Sequence, residues 1–209
     1  MKRLCVFLVT SLFAVGILAA PPPVAKPAQL PPDSVYQLPV QLTDQQARHF
    51  AWSSRRGKPQ LVAMFYTSCQ YICPLIVDSG KAIEKNLSAT ERQRLGILLI
   101  SMDPVRDTPA RLLSVATARG LDPAGWTLAS PAARDVRSVA GVLGIRYRAL
   151  ADGAFNHTSA LVLLDAQGRI LARTETMGSQ PDPGFVAAVR HALVPVAPRQ
   201  KPVAAKSSG

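Results

Sequence analysis

The sequence predicts an α/β domain with a mixed central β-sheet flanked by helices and an N-terminal hairpin. Three observations predict it. Residues 60–66 and 95–102 are continuous apolar runs of strand length, as strands buried on both faces require. Each run leads through a turn into an amphipathic stretch with a proline in its first turn, Pro74 or Pro109, where the missing N–H costs nothing. Residues 158–164 and 169–174 then read as a hairpin around Asp165-Ala-Gln-Gly168. Buried strands alternating with helices imply parallel crossovers, and the closing hairpin adds antiparallel neighbours.

Taken in order, the chain opens on Lys2 and Arg3, an uncharged apolar run over 4–18, and Ala19-Ala20. This pattern predicts a secretory signal over 1–20, cut near Ala20, with an uncleaved anchor as the alternative because the run approaches spanning length and Leu18 is bulky for a cleavage site. Either way the body of the protein is expected outside the cytoplasm, in the periplasm. Residues 21–34 are rich in Pro and Ala and read as a linker. The domain is expected over 35–194. Leu38, Val40 and Leu42 alternate with polar residues, a turn follows at 43–46, and Phe50 and Trp52 alternate again, giving the hairpin. After Pro74, the residues Ile76, Ser79, Gly80, Ile83 and Leu87 form one helical stripe whose small members allow close approach to the sheet. Thr108-Pro109 opens a helix through Leu112, Leu113 and Ala116. Ser130-Pro131 is expected to open another, with Val136, Val139, Ala140 and Leu143 on one face. A strand is expected over 145–150, and Asp182-Pro183 opens a last helix. Residues 195–209 fall back to Pro, Ala, Lys and Ser, a disordered basic tail.

With 209 residues, 48% hydrophobic and 18% charged, the chain suits one well-buried domain. The formal charge of +11 becomes +9 without Lys2 and Arg3. The cations are scattered, and the cluster Arg55, Arg56, Lys58 lacks the interleaved aromatics of a nucleic-acid groove, so nucleic acid is not an expected partner. A basic surface fits anionic membrane surfaces or acidic protein partners.

Cys5 would leave with the signal, so the mature chain keeps Cys69 and Cys73. At i, i+4 on a helix both sulfurs share one face, close enough to hold a metal ion or form a disulfide. A structural disulfide is the bland alternative in an oxidising compartment, although so short a loop removes little unfolded-state entropy. A helix amino terminus would favour the thiolate. By spacing alone zinc is as acceptable as copper.

The stretch Phe65-Tyr-Thr-Ser-Cys69-Gln-Tyr-Ile-Cys73-Pro74, the stretch Ser101-Met-Asp103-Pro-Val-Arg106-Asp107-Thr108-Pro109, and a lone His157 ahead of an apolar strand together resemble the Sco/SenC family, over about residues 38–193. The resemblance implies a thioredoxin-like fold and a role in building the copper centre of cytochrome c oxidase. It implies that Cys69, Cys73 and His157 bind copper as Cu(I) or Cu(II), a soft set that leaves room for an acceptor's ligand. Expected partners are the oxidase subunit carrying the copper centre, other periplasmic copper chaperones and thiol reductants. The chain departs from the family at Gln70 and Tyr71, where Pro and Asp are common, and at Asn156, where an acid is common; both changes remove negative charge near the site. The alternative function is a thiol-disulfide oxidoreductase working through Cys69 and Cys73 without a stable metal. Asp103, Arg106 and Asp107 are expected to fix their loop rather than touch metal. His49 and His191 read as surface residues, Met64 and Tyr66 as core, and Asp78 as a solvated charge near a helix start.

Overall fold

Local sequence settles the first hairpin. In the computed structural model, which describes residues 29–69 and 72–195, β1 (Gln41–Asp44) and β2 (His49–Ala51) pair antiparallel, Leu42 opposite Phe50. The expected signal with Cys5, the linker as far as residue 28, Gln70, Tyr71 and the tail from 196 lie outside the described residues. The carboxylate of Asp44 closes the turn, its Oδ1 accepting the N–H groups of Gln46 and Arg48, each at 2.9 Å. Ala47 sits at φ 60°, where a non-glycine residue is uncommon. Asp165 repeats the device in the last hairpin, accepting from Gln167 and Arg169, with Gly168 at φ 83°. The described end of the linker lies on the domain: Leu30 packs against the core, and Ser34 is buried and donates to the Gln167 carbonyl.

The apolar runs become the centre of the sheet. β3 (Gln60–Phe65), β4 (Gly96–Ser101) and β5 (Trp126–Pro131) are buried throughout and lie parallel. Between β3 and β4 run α1 (Ile72–Lys85) and the short α2 (Ala89–Arg94), the latter held by a reciprocal capping box of Ser88 and Glu91. Between β4 and β5 runs α3 (Pro109–Ala118), capped by the Thr108 hydroxyl. Successive right-handed crossovers in one direction place their helices on one face. Accordingly Arg119, at the end of α3, pairs with Asp78 of α1 and accepts from Lys81 through its carbonyl. The small-residue stripe of α1 works as its spacing predicts: Ile76, Ser79, Gly80, Ile83 and Leu87 are buried, and a Cβ at position 80 would overlap the Trp126 ring.

Ser130 and Pro131 do not open a helix. They end β5, with Pro131 opposite Leu42 of β1 and beyond the last residue paired to β4, so its missing N–H breaks no β4 ladder bond. A short 3-10 turn (Ala133–Asp135) follows, and α4 (Val136–Val142) starts five residues later than expected, with Val136, Val139, Ala140 and Leu143 buried as the pattern requires. On α3, Leu112 and Ala116 are buried but Leu113 is exposed.

Then come β6 (Tyr147–Ala149), β7 (Phe155–His157), β8 (Leu161–Leu164), β9 (Ile170–Thr174) and α5 (Pro183–Ala192), the last capped by Asp182. Among the described residues the main sheet has seven strands in the order β2-β1-β5-β4-β3-β8-β9. β6 and β7 form a separate two-stranded ribbon. His157 therefore ends a ribbon strand instead of starting the strand expected over 158–164. Among these residues no helix is long and apolar enough to cross a membrane.

Candidate metal centre

The carboxyl ends of parallel strands are where an α/β sheet offers a crevice, and the two cysteines stand at the end of β3. After Phe65 the chain leaves the sheet through Tyr66, Thr67 and Ser68 to Cys69, whose N–H reaches the Tyr66 carbonyl at 3.3 Å. Cys73 lies in the first turn of α1. It is 5% exposed, and its Sγ accepts the Tyr66 N–H at 3.4 Å. Cys69 is half-buried and lies ahead of α1, so the two cysteines are not i, i+4 neighbours on the described helix. They line a cavity of about 190 Å³ with apolar walls from Phe65, Val77 and Val115 and with Arg119 at its edge.

Burial pushes the Cys73 thiol well above the ordinary thiol range, and the neighbouring Cys69 and Asp107 act in the same direction, against the Tyr66 N–H. This corrects the expectation of a dipole-favoured thiolate at that position. Desolvation outweighs the helix terminus, and the buried sulfur is held as a neutral thiol that must release a proton to bind metal.

The loop carrying Cys69 is fastened to the loop after β4. Asp107 is 1% exposed. Its carboxylate accepts the Thr67 N–H at 3.1 and 3.2 Å, the Thr67 hydroxyl at 2.5 Å and the Ser101 hydroxyl at 2.5 Å. The Ser130 hydroxyl donates to the Asp107 carbonyl at 2.8 Å, tying β5 into the same knot. Asp103 pairs with Arg106, which also donates to the Gly153 carbonyl in the turn between β6 and β7. The signature loop thus holds the cysteine loop through Asp107 and the ribbon through Arg106.

His157 approaches from the other side of Tyr66. Its ring lies edge-on to the Tyr66 ring, centroids 6.0 Å apart, and it borders a separate polar cavity of about 650 Å³ with Arg146, Arg148, Glu175 and Met177. Nδ1 lies 3.2 Å from the Thr158 carbonyl, an acceptor, which places the proton on Nδ1. Nε2 is then a bare lone pair, and it is buried with no hydrogen-bond partner. Burial also pulls this imidazole below its ordinary value, so it stays neutral, as a metal ligand must. Among the described residues no three His, Cys, Asp or Glu side chains already converge as a metal-holding group. Cys69 and Cys73 line one cavity and His157 borders another, its ring packed edge-on against Tyr66. Two soft sulfurs and an orphaned imidazole nitrogen nonetheless suit a copper ion better than the hard donors of a calcium or magnesium site.

The remaining candidates fall outside this centre. His49 is exposed and bonded to the Thr43 hydroxyl, and His191 is exposed on α5. Met64 is core at 1% exposure, whereas Asp78 is ion-paired rather than merely solvated. Thr67, whose N–H and hydroxyl both reach Asp107, escaped the sequence reading, although it stands inside the first motif.

A family model described as SCO1/SenC matches residues 29–193. A protein of Stutzerimonas stutzeri named for copper binding is 32% identical over 73 residues, which are 35% of this chain and 36% of that protein; the match thus spans about a third of the curated relative. Bradyrhizobium japonicum ScoI, solved with copper bound, superposes with a TM-score of 0.59 at 24% identity, covering 74% of this chain and 97% of that one. BsSco, described as a member of the Sco family of cytochrome c oxidase assembly proteins, gives 0.61 at 22% identity, covering 73% and 90%. The fold is thioredoxin-like, with a mixed central sheet flanked by helices.

Proposed function

The chain belongs to the SCO1/SenC family, and from that premise we propose that it is a periplasmic copper chaperone that delivers copper to the dinuclear copper centre of cytochrome c oxidase. The observation that carries this reading is that two cysteines line one apolar-walled cavity, while the imidazole packed on the adjoining Tyr66 ring keeps a buried, unpartnered Nε2. Cys69 and Cys73 would hold the ion as thiolates and His157 would supply the third donor. Three donors leave a coordination position for an acceptor's ligand, which transfer requires. The basic, apolar N-terminal pattern over 1–20 supports location outside the cytoplasm, and the likeness to a ScoI solved with copper bound supports the cargo. Loading needs both thiols reduced, so an upstream copper chaperone and a thiol reductant are the partners this reading calls for, besides the oxidase subunit.

The test is competition for Cu(I) against a chromophoric chelator. His157→Ala is expected to weaken binding by about 10²-fold, the share of one ligand in a site of this strength. Binding that is negligible in the parent, or unchanged by the substitution, contradicts the three-ligand chaperone.

One observation favours a second reading. Cys69 is half-buried and Cys73 is buried, the asymmetry of an attacking and a resolving thiol. In that reaction the Cys69 thiolate attacks a partner disulfide, forming a mixed disulfide and releasing one partner thiolate. Cys73 then loses its proton and attacks Cys69, closing the Cys69–Cys73 disulfide and releasing the second; the partner gains two electrons and two protons, and this protein loses them. Rapid reduction of insulin would favour this reading over the chaperone.

A further inference from the structure

The ribbon that carries His157 has few attachments to the thiol pair, and one side chain supplies the shortest route between them. β6 and β7 hydrogen-bond to each other and not to the main sheet. At the turn the ribbon is held by Arg106 through the Gly153 carbonyl. Near His157 it is held by Tyr66, the residue that leaves β3 just ahead of the cysteines. The Tyr66 hydroxyl accepts the Phe155 N–H at 3.3 Å, while the Tyr66 backbone holds both cysteines, its N–H donating to Cys73 Sγ at 3.4 Å and its carbonyl accepting the Cys69 N–H at 3.3 Å. The Tyr66 ring is edge-on to Phe155 at 5.1 Å and to His157 at 6.0 Å between centroids. Tyr66 is buried, at 5% exposure, so this bridge is sheltered from competing water.

We propose that Tyr66 is a positioning residue for the metal centre: its hydroxyl, accepting from Phe155, couples the ribbon to the backbone segment that holds both cysteines and keeps His157 within reach as the third ligand. The proposal rests on the copper reading above. Groups that orient a ligand without touching the metal commonly govern affinity as strongly as this geometry suggests. A tyrosine in a buried run looks like core from sequence, and its ring is core; the hydroxyl is the functional part.

The test is a double-mutant cycle on Cu(I) affinity with Tyr66→Phe and His157→Ala, alone and together. Tyr66→Phe keeps the ring and its edge contacts and removes the bridge. It is expected to weaken Cu(I) binding roughly tenfold in the parent, the usual scale for removing an orienting partner, and to add no loss when His157 is already alanine. In the Cu(II)-loaded protein it should also shift the sulfur-to-copper charge-transfer band, a signature that a general loss of stability would not move. Equal losses in both backgrounds would mean that Tyr66 acts on the thiols or the fold alone, and no loss in the parent would mean that the bridge is idle; either overturns the proposal while leaving His157 a ligand. If His157→Ala alone changes nothing, the copper role of His157 fails and its positioning by Tyr66 fails with it, a pattern distinct from the other two. Partial unfolding of one variant lowers its apparent affinity by its folded fraction, so that fraction is measured by circular dichroism and divided out before the coupling is taken.

Discussion

Serine at either Cys69 or Cys73 is expected to weaken Cu(I) binding by roughly 10²- to 10³-fold, since about 10–16 kcal/mol shared among the four ligands of a structural metal site amounts to about 2.5–4 kcal/mol per ligand. A hydroxyl is a hard donor that keeps its proton at neutral pH, so it offers Cu(I) neither softness nor charge. The two positions should differ in everything except affinity. Cys73 is buried at 5% exposure in apolar surroundings and its thiol is pushed up by that burial, so the metal must displace a proton there. Binding should therefore strengthen as pH rises across the neutral range, and Cys73→Ser should flatten that dependence. Alkylation of the reduced apoprotein should label Cys69 well before Cys73. Chelator competition at several pH values measures the first effect, and mass spectrometry of timed alkylation the second. Equal labelling rates would contradict the burial seen here.

Asp107→Ala is expected to cost about 2–4 kcal/mol of stability, because it orphans the half-buried Thr67 N–H and leaves two hydroxyls to find other partners. For a domain of this size that is roughly 5–15 °C in melting temperature. The same carboxylate fixes the loop that ends at Cys69, so copper affinity should fall together with stability. Asp107→Asn keeps one acceptor oxygen and should recover part of both. Thermal melts and chelator titrations on the two variants check this. A stable Asp107→Ala protein with parental copper affinity would show that Thr67 and Ser101 hold the loop without it.

How much of this was legible beforehand depended on whether a local pattern had one interpretation. β3 and β4 were readable because continuous apolar runs bounded by turn residues suit little besides buried strands. The face of α1 was readable down to Gly80, whose lack of a side chain admits Trp126. β5 was not, because Ser130-Pro131 has the form of a helix cap, and its position between β1 and β4 is a long-range fact. α2 carried its signal in Ser88 and Glu91, but six residues with no buried side chain left no apolar stripe to attract attention. At the site, spacing marked Cys69 and Cys73 as a candidate pair. It could not place His157, since the alternation around residue 157 does not say whether a strand joins the main sheet or a separate ribbon. Nor could it assign Tyr66, whose two roles, core ring and bridging hydroxyl, are separated only by what the hydroxyl meets in three dimensions. Asp107 could be read from sequence only as a loop residue, and its partner Thr67, forty residues away, required the fold.

The most direct measurement of the central claim is X-ray absorption at the copper edge of the Cu(I)-loaded mature protein. Two sulfur neighbours and one imidazole nitrogen are predicted, with the imidazole signal lost in His157→Ala. A shell of nitrogen and oxygen without sulfur, or two sulfurs with no imidazole in the parent, would contradict the three-ligand centre.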